Sequence, residues 1–172
     1  MLATQSASAL KRWQVRTAAS LFVGYSAYYV CRSNLAVAAP LLIWEFGGRG
    51  LNQEVLGQLA SVGVLFYAAG KVVNGILGDF WGGKKVFLLG MVGSVVATVA
   101  FGLAQGVAVF FAAWAANRLV QSMGWAGLVN TTANWFSYRS YGKIMGWLSL
   151  SYLVGDIAAK LLLGQLLAQG LG

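Results

Sequence analysis

The 172-residue sequence contains no histidine, one cysteine, one proline and only four acidic residues. Each shortage removes a class of chemistry. Without histidine there is no His-dependent metal centre and no imidazole proton relay, and the lone Cys31 cannot close an internal disulfide. No nucleophile–base pair, metal-ligand set or phosphate-cradling loop can be assembled from what remains, so neither an enzyme nor a cofactor or metal site is expected. Charge of any sign is scarce. Charged residues make up 9% of the chain and hydrophobic ones 59%, where soluble domains carry about 25% and roughly 45–50%. The 12 Lys and Arg set a formal charge of +8, but they gather in no exposed cluster, which argues against nucleic acid as a partner. The expected surroundings are a lipid bilayer.

Five apolar stretches, at about residues 17–43, 55–78, 86–104, 107–133 and 142–168, follow a basic segment 1–16 that carries Lys11, Arg12 and Arg16. Each reaches or approaches the ~20 residues that cross ~30 Å of hydrocarbon. Backbone groups in that layer must bond within their own segment, so an all-α polytopic membrane protein is expected. A twelve-span protein would need at least ~240 residues in spans alone and does not fit this length. Turn residues separate the stretches at Phe46 to Gly50, Gly78 to Lys85, Gln105-Gly106 and Ser137 to Tyr141. The 23 glycines suit close helix packing, with Gly142 and Gly146 forming a small-xxx-small pair. Seven Lys and Arg fall in the N-terminal segment, the second connection (Lys84, Lys85) and the fourth (Arg139, Lys143). The first connection has only Arg49 and the third none. The positive-inside rule therefore places the N-terminus on the cytoplasmic side and Gly172 on the far side. Ala36-Val37-Ala38 imitates a signal-peptide cleavage site, but Arg32 and Asn34 precede it and four further spans follow.

Four cations lie inside the apolar stretches: Arg32, Lys71, Arg118 and Lys160. Asp156 is the one acid at comparable depth, since Glu45, Glu54 and Asp79 fall near span ends. A charge at a helix centre costs about 2.5–3.5 kcal/mol on insertion scales, so each should face a cavity or a partner. The positive surplus points to an anionic ligand. Arg32 lies near the middle of its stretch, and Tyr25, Tyr28 and Tyr29 precede it by seven, four and three residues, on one helical face. Its planar fork of donors suits phosphate or carboxylate oxygens; the alternative is a pairing with an acid such as Asp156. Lys71 has Tyr67 four residues before it and Asn74 three after, a polar face turned to a cavity, although its long stem could also reach the interface. Arg118, Gln121, Ser122 and Trp125 share another face that either serves a ligand or braces the bundle. Asp156 and Lys160, at i and i+4, can neutralise one another. Trp44 and Trp135 read as interface anchors.

The connection Gly75-Ile-Leu-Gly-Asp79-Phe-Trp-Gly82-Gly-Lys84-Lys85 resembles a signature of the major facilitator superfamily, with Phe80 in place of its first cation. Its glycines permit a tight crossing, Asp79 can brace a neighbouring helix end, and Lys84 and Lys85 hold the loop inside. The run Arg118-Leu-Val-Gln121-Ser-Met-Gly124-Trp-Ala-Gly127 is similar to the second signature, with Ser122 where glycine is common. Arg118, Gln121 and Gly124 are accordingly expected in a conformational or structural role. Within the superfamily, Gly24 to Asn34, Tyr67 to Lys71 and Gln121 to Trp125 resemble the organophosphate:phosphate antiporters, a likeness running from residue 24 to about 155.

That resemblance implies five helices of a six-helix N-terminal half, with a sixth helix and a C-terminal half as missing partners. It also implies that Arg32 binds substrate phosphate with help from Lys71; by spacing, Tyr25, Tyr28, Tyr29 and Tyr67 are expected to line the site around them. At Ser151 the sequence departs from the histidine of the phosphate-exchanging members. The implied function is secondary transport of a sugar phosphate or glycerol phosphate in exchange for inorganic phosphate. It would work by alternating access in the plasma (inner) membrane. A membrane sensor of sugar phosphate and a carrier of an unphosphorylated organic anion remain as alternatives.

Overall fold

A chain that must satisfy its backbone without water does so with helix, and helix runs through nearly all of the chain. The computed structural model describes residues 2–170, with side chains from residue 8 onward. Its helices are α1 (Leu2–Phe46), α2 (Gln53–Trp81), α3 (Gly83–Gly102), α4 (Val107–Trp135) and α5 (Tyr138–Gly170), with a short 3-10 turn at Gly47–Arg49. Helix α1 starts well ahead of the first apolar stretch, and Lys11, Arg12 and Arg16 are exposed along it. Gly172 lies outside the described residues.

By length and composition alone, α2, α3 and α5 are apolar enough to cross a membrane. Helices α1 and α4 are not among these three, and the polar side chains of α4 are spent on its neighbours. Asn117 donates through Nδ2 to Thr98 Oγ1 of α3 at 2.9 Å. Gln121 donates to the Cys31 carbonyl of α1 at 3.0 Å. Asn74 of α2 donates to the Leu119 carbonyl at 3.0 Å and to Ser122 Oγ at 2.7 Å. One helix thus grips three neighbours through short polar groups that hydrocarbon would otherwise leave unsatisfied. Helix α5 packs mainly on α1, where Ser26 Oγ donates to the Ser151 carbonyl at 2.9 Å.

Apolar clusters close the bundle on either side of this polar layer. One gathers Phe46, Leu51, Leu59, Phe101, Phe110 and Trp114, and the other Leu21, Tyr25, Tyr28, Phe87, Leu128 and Leu148. The closest approach is between α3 and α4. A carbon added at Gly127 would stand 2.6 Å from the Gly83 carbonyl oxygen, and one added at Gly83 2.5 Å from the Thr131 nitrogen. Helix α5 reaches α1 the same way, at Gly155 against the Ser26 backbone. Gly142 and Gly146 have nothing near them among the described residues, so this pair is not where the described helices meet. The α2–α3 turn needs Gly82 at φ +81°. There Asp79 accepts from Asn130 Nδ2 at 3.3 Å, and Asn130 Oδ1 accepts from the Gly83 N–H at 2.9 Å. A carboxylate on α2 therefore orients an amide of α4 that caps the start of α3.

Gly127→Val would force a branched side chain into the Gly83 backbone and Phe87. The expected loss of stability is about 1–3 kcal/mol, seen as a lowered Tm in detergent. An unchanged Tm would contradict the backbone contact between α3 and α4.

Candidate functional site

Helical spacing lines up Tyr25, Tyr29 and Arg32 on α1, Tyr67 and Lys71 on α2, and Trp114, Arg118, Gln121 and Trp125 on α4. Packing then brings the three lines together. Arg32 Cζ stands 4.5 Å from the ring centre of Tyr67 and 5.3 Å from that of Tyr29. Lys71 Nζ lies 5.1 Å from the same Tyr67 ring, so one ring serves two cations. Arg118 Cζ stacks 4.3 Å over Trp114 and lies within electrostatic reach of Arg32, Tyr29 and Tyr67. Tyr25 packs 5.6 Å from Trp125 and 5.8 Å from Tyr29, and Tyr152 of α5 closes on Tyr29 at 6.2 Å.

Aromatic faces offset at least part of the cost of these cations, two of them for Arg32 and one each for Lys71 and Arg118. A cation–π contact contributes about 0.5–1 kcal/mol at exposed sites and roughly 2 when desolvated, against about 2.5–3.5 for a central charge. Among the described residues the one ion pair is Lys160 to Asp156, at 2.6 Å. Asp156 also accepts from Ser33 Oγ at 2.8 Å. Arg32 is therefore not paired with Asp156, and no carboxylate among the described residues reaches Lys71 or Arg118 within ion-pair distance.

Other expected residues fall elsewhere. Tyr28 is buried against α3 and α4, its hydroxyl donating to the Phe87 carbonyl at 2.5 Å and its ring seated over Gly124. Residues 28 and 29 are about 100° apart on the helix; α3 takes the flank of Tyr28, and the cation cluster takes that of Tyr29. Gln121 ties α4 to α1, and Gly124 makes room for the Tyr28 ring. Ser151 is buried at the α1–α5 contact with its hydroxyl turned back to Leu148. Gly82, Lys84 and Lys85 sit at the α2–α3 turn, away from Arg32. A shallow depression lined by Lys71, Gly75, Asp79, Trp125 and Asn130 runs from the cluster toward that turn. The stacking of Arg118 on Trp114 carries no motif signal, only the four-residue spacing of the two. Tyr152 carried no signal of its own.

Tyr28→Phe removes one buried hydrogen bond. It should cost about 0.5–1.5 kcal/mol in thermal unfolding and leave anion affinity unchanged in titrations of the same variant. Weakened anion binding without loss of stability would place Tyr28 in the site after all.

Comparison with known proteins bears on what such a cluster does. A probable hexose phosphate transport protein of Chlamydia trachomatis is 26% identical over 90% of this chain and 33% of its own length. The phosphoglycerate transporter protein of Salmonella typhimurium is 30% identical over 84% of this chain and 30% of its own. The glycerol-3-phosphate transporter of Bacillus subtilis is 26% identical over 86% of this chain and 33% of its own. The chain spans about a third of the length of these curated relatives. No solved structure matches it significantly. The profile of the Major Facilitator Superfamily matches residues 21–172, and with five packed helices, several of them bilayer-length and apolar, the chain belongs to this superfamily of integral membrane transporters.

Proposed function

We propose that the chain forms one side of the substrate site in a secondary transporter for a small phosphorylated organic anion, a sugar or glycerol phosphate, exchanged for inorganic phosphate. The observation that carries this reading is Arg32, a membrane-depth guanidinium held against Tyr29 and Tyr67 beside Lys71, with no carboxylate of its own. A phosphate dianion supplies the charge that the helices do not. It also presents oxygens to a fork of donors in the geometry that makes Arg–phosphate contacts strong. The names of the relatives, which specify hexose phosphate, phosphoglycerate and glycerol-3-phosphate, support a phosphate ester over a simple carboxylate.

In this reading the cluster faces a second helical half, and the two halves rock about the bound anion. Closing over unpaired cations is unfavourable, because charges removed from water without a partner are costly. Occupied by a phosphate dianion, the site closes with most of its positive charge offset. That asymmetry favours exchange over leak. Residues 1–16, Lys84, Lys85, Arg139 and Lys143 lie on the cytoplasmic side of the plasma membrane, by the distribution of Lys and Arg. In this reading the five apolar stretches are the spans, and residues 1–16 are the basic segment ahead of them.

Arg32→Lys in the complete protein keeps the charge and loses the fork. Losing one charge-assisted hydrogen bond removes about 1.5–3 kcal/mol, so phosphate-ester uptake into proteoliposomes should fall roughly 10- to 100-fold while membrane insertion is retained. Undiminished uptake would refute the assignment, and binding without counterflow would mark a sensor instead of a carrier.

A further inference from the structure

Arg118 is the one cation of the cluster whose place the transport reading leaves unexplained. A bracing arginine spends its donors on carbonyls or carboxylates of the helices it joins. Arg118 does not. Its Nε and Nη1 are buried, and among the described residues no acceptor reaches either. Its contacts are apolar and aromatic: the stem lies against Gly63 of α2, and the guanidinium stacks on Trp114. Gly63 is where α2 leaves room for that stem, since an added carbon there would collide with Trp114 and meet Arg118 Cγ at 3.0 Å. The same guanidinium feels the charge of Arg32 and the hydroxyls of Tyr29 and Tyr67. Two like charges at membrane depth, both without a carboxylate, repel unless something negative lies between or beside them.

From this geometry we infer that Arg118 is a second anion-binding guanidinium, acting with Arg32 on one doubly charged phosphate group. The inference rests on the phosphate reading of the Arg32 site and adds a specificity-determining residue to it. Two forks on one phosphate favour the dianion over the monoanion, because a cluster that holds Arg118 as well as Arg32 and Lys71 gains from each further negative charge. An anion with one charge leaves two of the three cations, Arg32, Lys71 and Arg118, uncompensated, and a dianion leaves one. Helix α4, which holds α1, α2 and α3 in place through Asn117, Gln121 and Ser122, would thereby sense the ligand directly.

The test uses the complete protein in nanodiscs, with inorganic phosphate as the probe and calorimetric titration across a pH range. Arg118→Met keeps the stem against Gly63 and removes the donors. Phosphate affinity is expected to fall at least about tenfold, as for loss of a charge-assisted hydrogen bond. The wild-type gain in affinity, as rising pH converts phosphate to its dianion, should flatten in the variant. The ligand-free Tm should hold or rise, since a buried unpaired charge has gone. Unchanged affinity and pH profile with a lowered Tm would identify Arg118 as a brace and overturn the inference. If Arg118→Met does not fold, Arg118→Lys decides: a comparable loss of affinity upholds the inference and wild-type affinity overturns it. Arg32→Met separates the two levels. Loss of binding in that variant beside normal binding in Arg118→Met removes only the second guanidinium, whereas a wild-type protein that ignores phosphate removes the site reading itself.

Discussion

A guanidinium drawn into a helix bundle is costly unless something faces it, and Arg32 has the rings of Tyr29 and Tyr67 there instead of a carboxylate. Much of the bundle's architecture serves to keep those rings in place. Tyr67 reaches Arg32 only because α2 lies close to α4, and α2 lies there because Asn74 bonds Ser122 and the Leu119 carbonyl. Tyr29 faces the cluster because α1 is turned so that Tyr28 fills the space over Gly124 and reaches the Phe87 carbonyl. The cation site and the packing are therefore one problem solved together. A shift of α4 would loosen the one cation–ring contact of the cluster that crosses helices, Arg32 of α1 over the Tyr67 ring of α2.

Small residues and short amides divide that work. Glycines let backbones touch where α3 meets α4 and where α5 meets α1, and dispersion over those contacts has no hydrophobic effect to assist it in lipid. Amides and hydroxyls then fix direction, since a misplaced Asn117 or Gln121 would leave buried donors unsatisfied at about 1–3 kcal/mol each. The inner turn follows the same logic. Asp79 has no cation partner among the described residues; it orients Asn130, whose carbonyl oxygen caps the first N–H of α3. An acid in that signature acts here through an asparagine.

Five helices were legible in the sequence because apolar stretches of bilayer length leave the backbone few other options. The start of α1 was not, since polar residues extend a helix as readily as they end one when no proline or cap stops it. Arg32, Lys71 and Tyr67 could be grouped from spacing and family resemblance, and they stand together around one ring. Tyr28 could not be separated from Tyr29. A helical face spans about 100°, and which flank meets α3 is a tertiary fact. Arg118 was readable as part of a signature but not as a neighbour of Arg32, because that nearness depends on how α2 passes α4 at Gly63. Gly142 and Gly146 had the spacing of a packing pair, yet spacing alone does not say whether a helix stands opposite.

The acid that could have silenced the cluster is kept busy elsewhere. Asp156 lies within electrostatic reach of Arg32, one helix away, and would be its natural partner. Each of its oxygens is taken instead, Oδ1 by Ser33 and Oδ2 by Lys160 one turn along α5. Ser33 follows Arg32 directly in the chain, so the residue nearest the guanidinium in sequence is the one that draws the carboxylate aside. Lys160 completes the arrangement by neutralising Asp156 without adding charge to the site. An open guanidinium in a membrane protein thus depends on more than the residues that touch it: it also depends on a neighbouring acid having better partners.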